Sequence, residues 1–351
     1  MMIFHNSPPH AKEPRLFRTE ATRPLALLAQ CPVYAPTPLD EQAGLARAMA
    51  IKSLFIKDES KRMRLGSFKA LGGAFAIAQM IADAAGTTDL TSEPSRTAAA
   101  AMTVIAASAG NHGLSVAAGA RVFGARAVIV LSTLVPESFA ERIRALDAEV
   151  VRVDGFYDDS VAKAISLATD KGWLLLADGS WDGYLERPAL VMEGYTVLAE
   201  ECRAAFAASG QWPSHVFLQA GVGGLAAAVA AHVREYWAEQ PKIIVVEPDA
   251  APCLMDSVRA GHLTRADGPM STMGRLDCKD ASLIAYQSLR QDADTFVSIS
   301  DADAAAAVDR LARHAIATTP SGAAGFAALE KMQLGEDSRC LVIVSEGPEE
   351  G

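Results

Sequence analysis

The strongest constraint on the fold is a regular alternation that sets in after Met102. Short apolar runs at 103–107, 127–131, 150–153 and 173–177 are separated by stretches of helical periodicity at 113–123, 136–146 and 158–169. The runs are short and apolar, as in strands buried on both faces, and helices intervene between them. The pattern predicts a parallel, doubly wound α/β sheet. Pro136 suits the first turn of its helix. The alternation resumes with a long helix at 188–208, strands at 216–219 and 243–246, helices at 301–317 and 322–332, and a strand at 340–344. Upstream, a helix is expected over 39–50, a strand at 53–56 and a second helix from residue 68. Residues 86–98 and 262–282 read as irregular, residues 1–30 as a surface wrap, and the alanine-rich patches 98–101 and 304–307 as packed helix. A chain of 351 residues is long enough for two domains.

Composition excludes several classes of function. The net charge is -10 and no Lys/Arg run occurs, so neither nucleic acid nor an anionic membrane is an expected partner. An anion must be held locally, by backbone amides or helix ends. No run approaches the roughly 18 apolar residues of a membrane span. The N-terminal Met1-Met2-Ile3-Phe4-His5 lacks the pattern of a signal peptide. The 5 cysteines are scattered with no C-x-x-C, which suggests free thiols in a reducing cytoplasm and no metal site.

Four stretches carry candidate chemistry. In Gly66-Ser67-Phe68-Lys69-Ala70-Leu71-Gly72-Gly73, Ser67 reads as an N-cap and puts Lys69 in a helix's first turn. The helix dipole and burial would both lower its pKa, and a free amine is suited to a Schiff base. A solvated lysine beside a cap is the alternative. Ser108-Ala109-Gly110-Asn111-His112-Gly113 joins a strand to a helix N-terminus, which offers unpaired N–H groups to a carboxylate. Gln219-Ala220-Gly221-Val222-Gly223-Gly224-Leu225 allows close approach of backbone to a phosphate. Ala226 stands where a dinucleotide fingerprint has its third glycine, so a monophosphate fits better than NAD. In Ala177-Asp178-Gly179-Ser180-Trp181-Asp182, either aspartate is a candidate general base. A weaker fifth signal is Ser345, just past the last strand, within reach of a ligand ring. A plain turn or cap is the competing explanation for each of these loops.

Phosphate cradle, nucleophilic lysine, carboxylate loop and ring contact are together what pyridoxal 5'-phosphate acting on an amino acid requires. The order Pro36-Thr37-Pro38-Leu39, Ser67-Phe68-Lys69, Ser108 to Gly113, Gly221 to Leu225 and Pro320-Ser321-Gly322-Ala323 resembles the fold-type II pyridoxal-phosphate enzymes. Within that group Lys57-Asp58-Glu59-Ser60, Tyr157-Asp158-Asp159-Ser160-Val161, Met192-Glu193-Gly194-Tyr195, Thr272 to Cys278 and Ser345-Glu346-Gly347 are similar to diaminopropionate ammonia-lyases.

The resemblance implies two three-layer domains with mostly parallel twisted sheets. One is a large cofactor-binding domain of residues 1–74 plus 187–351, the other a small domain of residues 75–186. It also implies a homodimer. Lys69 would anchor the cofactor and then take the α-proton. Asn111 would bond the cofactor's phenolic oxygen, Gly221, Val222, Gly223, Gly224 and Leu225 its phosphate, and Ser345 its ring nitrogen. Ser108, Ala109, Gly110, Asn111 and His112 would hold the substrate carboxylate. Asp178 would serve as a second acid/base at the β-position.

The expected reaction is β-elimination of ammonia from 2,3-diaminopropionate, giving pyruvate and ammonia. A serine/threonine or 3-hydroxyaspartate dehydratase and a β-replacement synthase are the alternatives. A nucleotide-binding Rossmann protein without a covalent cofactor is a further one. One departure bears on stereochemistry. The lyases typically carry an aspartate before Gly-Asn-His, the base for the D-isomer, where this chain has Ala109 as dehydratases do. Preference for the L-isomer is expected.

Overall fold

A computed structural model describes residues 1–8 and 13–348. Its strands are β1 (Met2–His5), β2 (Leu39–Glu41), β3 (Ser53–Asp58), β4 (Thr103–Ala107), β5 (Arg126–Ser132), β6 (Glu149–Val153), β7 (Leu174–Leu175), β8 (His215–Gln219), β9 (Lys242–Pro248), β10 (Thr295–Ile299) and β11 (Arg339–Val344). They form a 7-stranded sheet in the order β1-β10-β9-β8-β11-β3-β2 and a 4-stranded sheet in the order β6-β5-β4-β7. Every pairing is parallel except those of the edge strands β1 and β2. The apolar strands 54–56, 216–218 and 341–344 lie side by side at the centre of the larger sheet, buried on both faces. The carboxyl ends of β3, β8 and β11 adjoin, and those of β4 and β7 adjoin in the other sheet. In sheets of this kind ligands bind beyond the carboxyl ends.

The helix Lys69–Ala85 is buried over most of its length. It packs against helices Asn111–Phe123 and Glu186–Ser209 at glycines, which let backbones approach closely. A Cβ on Gly73 would lie 2.4 Å from Ser115 Oγ, and one on Gly194 2.7 Å from the Leu71 carbonyl. Below its first turn lies a buried ionic cluster. Arg62 donates to Glu59 and Glu201, and Lys57 Nζ is 2.5 Å from Glu201 Oε2. The four side chains fix the turn 59–66, in which Met63 and Arg64 adopt positive φ of 48° and 60°.

Several expectations needed correction. Residues 39–50 do not form one helix. Pro36 and Pro38 hold the chain extended, so Leu39–Glu41 pairs antiparallel with β3, and the helix is only Ala43–Ala48. The expected loop 86–98 contains the start of helix Glu93–Ala101, capped by Ser92 accepting from the Ser95 N–H, with Pro94 in the first turn. The fourth apolar run pairs only at Leu174–Leu175. Residues 1–30 contain β1 and helix Thr22–Leu28, although residues 9–12 of that wrap lie outside the described residues. Helices Cys253–Ala260 and Leu283–Asp292 and strand β10 were not anticipated. The remaining elements agree to within a few residues, and 262–282 is irregular.

Candidate active site

A cavity of about 660 Å³ opens where the carboxyl ends of the two sheets face each other. Lys69, the segment 108–112, Asp178, the loop 221–225 and Ser345 all line it. Lys69 is the first residue of its helix, and its backbone N–H donates to Ser67 Oγ at 3.1 Å. Ser67 thus caps the turn from one residue further out than a regular N-cap. Lys69 Nζ forms an ion pair with Asp178 Oδ2, both side chains about a fifth exposed.

This pair reverses one expectation. Burial is the largest single influence and pushes the Lys69 ammonium toward deprotonation, but the Asp178 carboxylate, with smaller contributions from Tyr195 and Cys278, reverses it, and the pKa of Lys69 is raised rather than lowered. Burial likewise pushes Asp178 upward, and the charge and hydrogen bond of Lys69 hold it well below the usual carboxylate range. The site thus pairs an ammonium with a carboxylate.

Across the cavity, Ser108 Oγ accepts from the Gly110 N–H, and Asn111 begins a helix whose first N–H groups have no intrahelical acceptor. A Cβ on Gly113 would lie 2.1 Å from the Ser108 carbonyl oxygen, so this tight turn admits no side chain there. Asn111 Nδ2 donates to Glu346 Oε2, whose other oxygen accepts from the Thr319 hydroxyl. Glu346 was matched in sequence but given no role. It links the loop of the smaller sheet to the end of β11. His112 Nε2 lies 2.8 Å from the Leu176 carbonyl oxygen, and burial lowers its pKa, so it is a neutral ring tying its helix to the end of β7.

The loop after β8 has the form of an anion cradle. Gly223 has φ of 101°, a region that L side chains rarely adopt, and precedes helix Gly224–Tyr236. A Cβ on Gly221 would lie 2.9 Å from Cys278 Sγ and 3.0 Å from the Arg275 carbonyl oxygen. The backbone N–H groups are therefore presented bare at a helix N-terminus. Ser345, 4% exposed, follows β11 beside this loop. The donor set fits pyridoxal phosphate: an amide cradle for its phosphate, a hydroxyl for its ring and a lysine for its aldehyde. Arg275, Cys278, Tyr157 and Trp181 also line the cavity and carried no periodicity or spacing signal. Among the described residues no helix is long and apolar enough to cross a membrane.

Comparison with known proteins agrees with this geometry. The family model for pyridoxal-phosphate dependent enzymes matches residues 31–346. A diaminopropionate ammonia-lyase of Escherichia coli strain K12 is 34% identical over 337 residues, which is 90% of this chain and 85% of that one. A biosynthetic L-threonine dehydratase of Haemophilus influenzae is 30% identical over 298 residues, 84% of this chain and 52% of that one. The crystal structure of the Escherichia coli diaminopropionate ammonia-lyase in complex with D-serine superposes with a TM-score of 0.87 at 30% identity, covering 99% of this chain and 93% of that one.

Proposed function

The chain belongs to the pyridoxal-phosphate dependent enzyme family, and from that premise we propose that it is an ammonia-lyase converting 2,3-diaminopropionate to pyruvate and ammonia. One observation carries the reading: the Lys69–Asp178 ion pair stands in a cavity faced by the helix N-terminus at Asn111 and by the glycine loop 221–225. When bound, pyridoxal phosphate supplies an electrophilic aldehyde and a conjugated ring that takes up the electron pair freed at the substrate α-carbon. The amides of 221–225 hold its phosphate, Ser345 its ring nitrogen and Asn111 its phenolic oxygen. Ser108 and the first N–H groups of Asn111–Phe123 hold the substrate α-carboxylate, which aims the Cα–H bond at Lys69. Lys69 accepts the α-proton. Asp178, kept ionised, attracts the β-nitrogen as an ammonium, the form that departs as neutral ammonia. The released enamine takes up one water and gives pyruvate and a second ammonia.

Ala109 favours a second reading, a serine/threonine or 3-hydroxyaspartate dehydratase, because dehydratases share a residue without a carboxylate there. Incubation with L- and D-2,3-diaminopropionate, L-serine, L-threonine and 3-hydroxyaspartate, with ammonia and oxo acid measured, separates the two. Ammonia from the L-diamine is expected. Turnover of the hydroxy acids alone would replace the lyase by a dehydratase. We also infer that the enzyme is cytoplasmic, in keeping with 5 free cysteines, and that it is a homodimer; a monomer by light scattering removes the dimer. Division into residues 1–74 plus 187–351 and residues 75–186 is supported by the two separate sheets. Cooperative unfolding of the isolated 75–186 fragment is its test.

A further inference from the structure

Tyr195 sits on helix Glu186–Ser209 with 1% of its surface exposed. The outer end of its ring lies against two glycines. A Cβ on Gly72 would come within 2.5 Å of its Cε1, and one on Gly224 within 3.6 Å of its Cε2. The ring therefore occupies the seam between the helix that starts at Lys69 and the helix that starts at the glycine cradle. Phe68 packs edge-on against it, centroids 4.9 Å apart, and Lys69 Nζ stands 5.9 Å from its ring centroid. Its hydroxyl is fully buried, makes no hydrogen bond of regular geometry and interacts weakly with the Lys69 amine. A buried hydroxyl left unpaired is costly, and phenylalanine would fill the same space without that cost. A polar group beside it with bonds to redistribute is the Lys69 amine.

We propose that Tyr195 is a positioning residue for Lys69, its hydroxyl engaging the amine whenever Asp178 alone does not fix it. A neutral amine has two N–H bonds and one lone pair. With Asp178 accepting one N–H and Tyr195 the other, the lone pair is left to face the cavity, where the substrate α-proton arrives. Burial holds the phenol protonated, so Tyr195 acts as a dipole and not as a second charge. The proposal rests on the assignment of Lys69 as cofactor anchor and base. It is independent of which amino acid is the substrate.

The test is Tyr195→Phe, purified and loaded with pyridoxal phosphate. Three quantities are read: the melting temperature, the pH midpoint of the visible absorption of the loaded protein, and kcat and KM on the best substrate. Expected are an unchanged or raised melting temperature, a displaced absorption midpoint, and kcat lower by about tenfold to a hundredfold at nearly constant KM, as for a misaligned base. A wild-type midpoint with wild-type kcat would overturn the proposal. So would a lowered melting temperature with an unmoved midpoint, which would make the hydroxyl purely structural. Failure of the lyase reading shows instead as a wild-type protein that loads the cofactor and releases no ammonia from the diamine. The absorption midpoint still tests Tyr195 in that case.

Discussion

Replacing Glu201 by Gln should be far more damaging than its distance from the cavity suggests. Glu201 accepts from Arg62 at 2.7 and 2.8 Å, from Lys57 at 2.5 Å and from the Tyr34 hydroxyl at 3.1 Å. With Glu59 it balances two cations that are at most 1% exposed. Gln keeps the shape and removes one negative charge, so a buried net positive charge remains. Breaking a buried pair on one side costs about 3–5 kcal/mol, a large share of the roughly 5–15 kcal/mol that stabilises a domain. Urea denaturation of both proteins at neutral pH measures it. Loss of bound cofactor should accompany the destabilisation, because the cluster holds the turn 59–66 that leads into Lys69. The pH dependence carries its own check. Burial pushes the Glu201 carboxyl upward, but bonds to Arg62 and the charges of Arg62 and Lys57 leave it lowered. A depressed carboxylate contributes stability above its unfolded pKa of about 4.3 and loses it as pH falls through the folded value. The gap between wild type and Glu201→Gln should therefore stay constant from pH 7 to about 5 and narrow in stronger acid. A destabilisation under about 1 kcal/mol, or a gap that widens in acid, would refute the account of the cluster.

The remaining expectations concern the site. Lys69→Ala should abolish both the yellow colour of the loaded protein and pyruvate release; full turnover by this variant would end the lysine mechanism. Asp178→Asn should retain cofactor on Lys69 while lowering kcat by about a hundredfold or more, the usual scale for a displaced acid/base, and steady-state kinetics with wild-type kcat would exclude Asp178. Gly223→Ala forces a side chain into φ of 101° and within 2.8 Å of Ala285 Cβ, so titration of the empty protein with pyridoxal phosphate should show affinity weakened by about 1–3 kcal/mol. With Ala109 unable to accept a proton, L-2,3-diaminopropionate should be turned over much faster than the D-isomer, and Ala109→Asp should narrow the difference. Equal rates for the two isomers in the wild type would show that another group serves the D-isomer.

What could be read from sequence was decided by how locally each feature is determined. The parallel strands were legible because a strand covered on both faces must be apolar along its length, as 216–218 and 341–344 are. The glycine cradle was legible because only a bare backbone can approach an anion so closely. Strand β2 was misread because Leu39–Glu41 owes its conformation to pairing with Phe55 and Lys57, an interaction across the sheet that competes with a weak local helical pattern. The helix Glu93–Ala101 was legible only at its alanine-rich end, because its first turn and Ser92 cap lie in a polar run of loop composition. Glu346 and Tyr195 are invisible to periodicity. One is a charge after a strand and the other an aromatic on a buried helix, and their place beside Asn111 and Lys69 follows only from how helices and sheets stack.

The sign of the Lys69 shift shows the same limit at the level of chemistry. Helix dipole and burial both favour the neutral amine, and on the octapeptide alone that conclusion was sound. Asp178 comes from the end of β7, more than a hundred residues away, and its charge and hydrogen bond, added to the other groups around the amine, together turn the shift upward against burial. A raised pKa does not weaken the case for Lys69 as a base, because a base takes a proton from carbon more completely the better its conjugate acid is stabilised. The same lysine also needs its lone pair free to form a covalent bond to an aldehyde, which an ammonium cannot do. The two demands are compatible only if the proton leaves for substrate or solvent between them, while Asp178 stays ionised in contact with the amine. The basicity of Lys69 is then set by the distance between the first turn of Lys69–Ala85 and the chain leaving β7.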